Sequence, residues 1–278
     1  SDSANVMIGK NNSVLSWIKQ QSSSVYSLPC VSHIVHLAAK DAVKAISKPA
    51  EDLLVDVFYY FNGSANWCDA DELQLIKHGG TRWLSLHQAV ARCNNQWEPL
   101  KAYFGSNNET EKPGRVQCIY TYIQDEEMHL YFLFLEHGLD DLLAYNVFFQ
   151  AEDSRVAYLW EESIKLLKML LNQFVKSVVL SSADDVTTVD FQDLTNQKEN
   201  KKLSVGAKAK NFIAVNGDLD TATLEKVYAG VGKFYSAAVQ KLLKKLPLTD
   251  KILQALGLLH PPKKLDYDEG VTKLEEWW

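Results

Sequence analysis

No apolar run in this sequence approaches the roughly 20 residues that a membrane-spanning helix needs; the strongest, Met128 to Leu135, is interrupted by His129. No leader pattern opens the chain, so neither a membrane nor a secretory route is expected. Cysteine is scarce. Four residues, Cys30, Cys68, Cys93 and Cys118, stand far apart without a C-x-x-C pair, which excludes a dense disulfide framework and predicts thiols in a reducing compartment. Positive charge is not in excess either: the net charge is -6, which argues against a strongly basic duplex-binding surface on this segment alone. There is no phosphate-cradling P-loop, dinucleotide fingerprint or serine nucleophile elbow, and neither an internal repeat nor a low-complexity tract.

What is present is apolar residue at helical spacing. With 278 residues and 46% hydrophobic content the chain can bury a sizeable core in one or two domains. A helix is expected over Asn11–Gln20, with Asn11, Asn12 or Ser13 as its N-cap. Val25–Cys30 reads as a short strand limited by Pro29, followed by a helix from Val31 to about Ile46 that stops near Pro49. Further helices are expected over Glu51–Phe61, Leu84–Phe104 and Val156–Val175, and over Thr221–Leu246 with Pro247 closing it. Val116–Gln150 is too apolar all round for a lone surface helix and should lie inside a bundle, broken near Gly138. Ser181–Gly206 mixes Ser, Asp, Thr, Asn and Lys with little periodicity and reads as the main linker or mobile loop.

Charged groups fall in local clusters. Lys198, Lys201, Lys202, Lys208 and Lys210, and Lys241, Lys244 and Lys245, are candidate basic patches, although solvated lysines are the simpler reading and the second group suits a helix C-terminus. Asp125-Glu126-Glu127, Glu152-Asp153, Glu161-Glu162 and Asp184-Asp185 read as solvated acidic faces.

Three strings occur in order: Ser1-Asp2-Ser3-Ala4-Asn5-Val6-Met7-Ile8-Gly9, then Cys30-Val31-Ser32-His33, then Thr81-Arg82-Trp83-Leu84-Ser85. They resemble the (T/S)-D-x-A-x-N-M-x-G, C-x-x-H and T-R-W-x-S segments of the hAT superfamily of cut-and-paste DNA transposases. Tyr228–Leu248 also resembles a segment of domesticated, zinc-finger-associated relatives. The resemblance is specific to about Phe104 and weaker beyond.

It implies a mainly α fold, with a truncated RNase H-like α/β portion over residues 1–80 followed by an all-helical insertion over 81–278. It also implies a fragment, since such enzymes use three carboxylates and only the second, Asp2, has a counterpart here. Two Mg²⁺ ions need several carboxylates to hold them, so Asp2 is expected to be a vestigial metal ligand and the chain to lack catalysis by itself. The expected cofactor is none for this chain and Mg²⁺ for a complete ancestral enzyme. Cys30 and His33 are expected near the ancestral active site in a structural or DNA-positioning role, with zinc as the alternative. Arg82 and Trp83 are candidate DNA contacts through phosphate binding and base stacking; the alternative is a core anchor and an ion pair. DNA, in the complete protein, and protein partners or a second copy are the expected partners, in the nucleus. A domesticated interaction module without chemistry is the competing reading. The BED-type zinc finger common in the family has no counterpart here.

Overall fold

Prolines and short polar caps set where the helices of this chain begin and end. The computed structural model describes residues 5–9, 11–46, 48–62, 85–107, 114–217 and 219–257, which form α-helices and 3-10 turns with no strand among them. The expectation of a mainly α fold therefore holds. The strand expected at Val25–Cys30 is irregular instead: no strand lies beside it among the described residues, so its backbone has no ladder to join, and Pro29 removes a donor. An α/β portion is accordingly not seen among the described residues before residue 80.

Helix α1 (Asn5–Ile8) leads into α2 (Val14–Gln21). Ser13 is the cap, not Asn11 or Asn12. Its hydroxyl accepts from the Ser16 N–H at 3.0 Å, and the Ser16 hydroxyl accepts from the Ser13 N–H at 2.9 Å, a reciprocal capping box. Asn12, at φ +54°, supplies the left-handed turn that asparagine tolerates. No residue of α2 is buried.

The longest helix, α13 (Thr221–Lys245), buries Val227, Val231, Phe234, Tyr235, Ala238, Val239 and Leu242. At 1.5 Å per residue it spans roughly 37 Å and forms the axis of the molecule. Helix α3 (Val31–Lys44) lies along it, burying Ile34, Val35, Ala38, Ala39, Ala42 and Val43. The three alanines leave the backbones free to approach closely. Tyr26 bonds to Asp250 and Asp41 pairs with Lys241, an inverse order that makes α3 and α13 antiparallel. The α3–α13 contact thus joins residues on either side of position 80.

Helix α4 (Ala50–Asn62) starts just after Pro49. The helix expected over Leu84–Phe104 is two, α5 (Ser85–Asn95) and α6 (Trp97–Asn107). Pro99 explains the break: it has no N–H for the Asn95 carbonyl, and its ring collides with that carbonyl in a continuous helix. Within the first turn of α6 the missing N–H costs nothing. Helices α7 (Arg115–Gln124), α8 (Glu126–Gly138) and α9 (Asp140–Phe148) follow. The break near Gly138 is the expected one; the break at Asp125 is additional. Asp125 caps α8, accepting from the Glu127 N–H at 2.9 Å, and its carboxylate pairs with Lys48 at 2.5 Å. Asp125→Ala is expected to lower stability by about 1 kcal/mol in urea unfolding, chiefly through the lost cap, because a pair still partly open to solvent adds little. Asp125→Asn, which keeps an acceptor, should lose clearly less.

Helix α10 (Leu159–Phe174) buries Leu159, Leu166, Leu167, Leu170, Leu171 and Phe174 against α13, the face its spacing predicts. The following region, expected as a linker, is a packed covering. Val186, Val189, Phe191, Leu203 and Val205 are buried, and three 3-10 turns and the short α11 (Ser177–Ser182) carry it. Isolated apolar residues between polar ones pin it, a pattern with no helical or strand period. Helices α12 (Ala207–Val215) and α14 (Lys251–Leu256) complete the order. No helix of the described residues is long and apolar enough to cross a membrane.

Candidate functional site

Pro29 places its predecessor in extended conformation, and Cys30, at φ -70° and ψ 109°, is the last non-helical residue before α3. Its carbonyl accepts from the Ile34 N–H at 3.1 Å, while its thiol caps nothing. His33 follows one turn later, so the two sit on neighbouring positions of the first turn. Both are half-buried, with Ile34 and Val35 directed into the core. A thiol and an imidazole are too few to hold zinc in a closed site, which takes four ligands. Among the described residues no group of three or more His, Cys, Asp or Glu is arranged to bind a metal ion. Asp2, Arg82 and Trp83, and also Cys68, lie outside the described residues. The described cysteines, Cys30, Cys93 and Cys118, are free thiols; burial pushes Cys93 up to about 12, which leaves it protonated and unreactive.

The entry to α3 is fastened at a distance. The Tyr26 hydroxyl donates to Asp250 at 2.5 Å, and burial, with this bond and the carboxylate charge, pushes the phenol up to about 12. Asp250 also caps α14 through the Leu253 N–H at 3.2 Å. The segment leading into the Cys30–His33 turn is thereby tied, through Tyr26, to the cap of α14.

A second polar group, invisible in the sequence, lies where α5, α8, α9 and α12 meet. Asn94 donates to the Phe132 carbonyl at 3.0 Å and to Glu136 at 2.9 Å, and Lys208 donates to Glu136 at 2.7 Å. Burial pushes the Glu136 carboxyl up, but the bonds from Lys208 and Asn94 outweigh it and hold the group below its ordinary value. So saturated a carboxylate is a lock between helices and a poor general base. His87 Nε2 lies 2.8 Å from Asp140, a dyad in which no serine, threonine or cysteine among the described residues bonds to the imidazole. His137 meets the Ser204 hydroxyl at 3.0 Å, and the Tyr235 hydroxyl donates to the Ser204 carbonyl, also at 3.0 Å. These residues are dozens of positions apart and carry no spacing signal.

Three lysines of the candidate basic patches are held in ion pairs. Lys202 pairs with Glu199 at 3.1 Å, Lys208 with Glu136, and Lys241 with Asp41 at 2.6 Å. Comparison with family models, with curated proteins and with solved structures finds no match for this chain.

Proposed function

We propose that this chain is a helical, DNA-associated segment of a hAT-transposase-like nuclear protein that has no catalysis of its own. The ordered strings around Asp2, Cys30–His33 and Arg82–Trp83 support the family, and the helical body from Ser85 onward suits an insertion domain. The observation that carries the segment reading is α2: it buries nothing and exposes Val14, Trp17 at 63% and Ile18. An apolar helix face in water is a face lacking its partner, and an RNase H-like sheet packed against it would supply one.

In this reading Asp2 is a vestigial ligand. The Mg²⁺ site of a complete enzyme needs further carboxylates beside it. The Cys30–His33 turn positions the start of α3, and Arg82 and Trp83 contact DNA in the whole protein. The expected result is that the chain leaves supercoiled plasmid uncut in Mg²⁺. Mg²⁺-dependent nicking that Asp2→Asn abolishes would overturn the assignment. Reading the transcript in frame beyond both ends tests the segment: an upstream strand Asp and a downstream Glu support a transposase, whereas substituted carboxylates support a domesticated interaction module.

A further inference from the structure

An open groove of about 540 Å³ runs between α13 and the wall that carries residues 194–203. On the α13 side the lining extends from Tyr228 to Gln240, roughly 18 Å or three helical turns. Small residues, Ala229, Gly232 and Ala237, keep it shallow and allow close approach of another backbone. The wall is held rigidly: Lys198 N–H donates to the Phe174 carbonyl at 2.8 Å, Lys176 N–H to the Asn196 carbonyl at 2.9 Å, and the Gln197 side chain to the Phe191 carbonyl at 2.8 Å. On this pinned wall Leu194 is 79% exposed.

The charge of the groove is one-sided. Lys198 and Lys233 line it, and no acid does. Neither lysine has a carboxylate partner among the described residues, although Lys48, Lys202, Lys208 and Lys241 do. Among the described residues the Lys198 ammonium donates only to the Asn172 carbonyl, at 2.5 Å, which leaves further donors available. On a chain of net charge -6, this is a local inversion.

We propose that this groove docks an acidic amphipathic helix of a partner protein. Its apolar face would lie along the small residues of α13 and against Leu194 and Tyr228, and its carboxylates would meet Lys198 and Lys233, the helix-in-groove mode of recognition. Two lysines neutralise too few phosphates for stable duplex binding, and the apolar lining suits side chains. The inference stands on the groove alone and does not depend on the transposon-derived reading.

The test is fluorescence anisotropy of the 278-residue chain with a labelled peptide of roughly 14 residues, Leu at i, i+3, i+7 and i+10 and Glu beside them. The acidic peptide should bind at least about tenfold more tightly than its Lys-for-Glu counterpart, and Lys233→Glu should erase that preference. Gly232→Leu should weaken binding about tenfold by filling the groove; an added Cβ there meets only Leu203, at 3.8 Å, so helicity by circular dichroism should be unchanged. Equal binding of the two peptides, no binding at about 1 mM, or indifference to both substitutions overturns the proposal. So does displacement of the peptide by duplex DNA with a steep salt dependence, or a dimer of the chain that Gly232→Leu dissociates.

Discussion

Gly230→Ala is expected to destabilise the protein by about 2 kcal/mol, while Gly232→Ala, two residues along the same helix, stabilises it by about 0.5–1 kcal/mol. Helix propensity favours both changes equally, since glycine in a helix interior is about 1 kcal/mol worse than alanine. Packing separates them. A Cβ on Gly230 would lie 2.3 Å from the Tyr131 hydroxyl and 2.8 Å from its ring. Tyr131 is fully buried and donates to the Lys226 carbonyl at 3.0 Å, so the ring cannot withdraw without forfeiting that bond and disturbing α8. Overpacking costs about 1–3 kcal/mol, and stranding a buried hydroxyl about 1–3 kcal/mol more; together they exceed the propensity gain. Urea midpoints of the two variants check the pair. Equal shifts in the same direction would refute the close contact between α8 and α13.

Most of the helical architecture is legible in the sequence because burial of one face imposes a 3.6-residue period. The α10 and α13 faces follow directly from Leu166, Leu170 and Phe174 and from Val227, Phe234 and Leu242. The misreadings have separate physical causes. Pro99 marks the α5–α6 break, a signal overridden by the apolar period that continues through it. Asp125-Glu126-Glu127 reads as a solvated acidic run but is a helix start, in which Asp125 caps and two carboxylates favour the N-terminal dipole. Val25–Cys30 has strand-like residues, yet a strand exists only through its neighbours, a non-local property. The region around Phe191 and Leu203 is pinned by single apolar residues that no window detects. Short helices such as α12 depend on docking more than on propensity.

The candidate site divides in the same way. Cys30 and His33 are legible as a local motif, and helix geometry alone places them on one turn. The Glu136, Asn94 and Lys208 lock and the Lys198–Lys233 groove arise from tertiary arrangement, so no local pattern announces them. Asp2, Arg82 and Trp83 rest on their resemblance.

Acidification is expected to weaken the fold through His129 well before the carboxylates titrate. Its imidazole stacks on Trp97 at 4.3 Å with the planes 3° apart, and Phe212 meets it edge-on at 4.7 Å. Burial, reinforced by the positive charge of Lys101, pushes it down from 6.5 to about 4. The folded state therefore prefers the neutral ring, and the unfolded state takes up the proton first as pH falls. Stability from this group is fully present above about pH 6.5, declines as pH falls below it, and is fully lost below about pH 4. After discounting for the ring's partial exposure, the loss should reach about 2 kcal/mol. Glu136, held below its ordinary value, adds its own loss only at the acidic end of this range, so the His129 contribution is read between about pH 6.5 and 5, by difference from a variant that lacks the imidazole. His129→Phe keeps an aromatic stack on Trp97 and removes the titrating group. Its free energy of unfolding, from urea titrations at successive pH values, should fall clearly less across that interval than the parent's. A parent profile without decline, or an equal decline in His129→Phe, would place the buried neutral state of this ring in error.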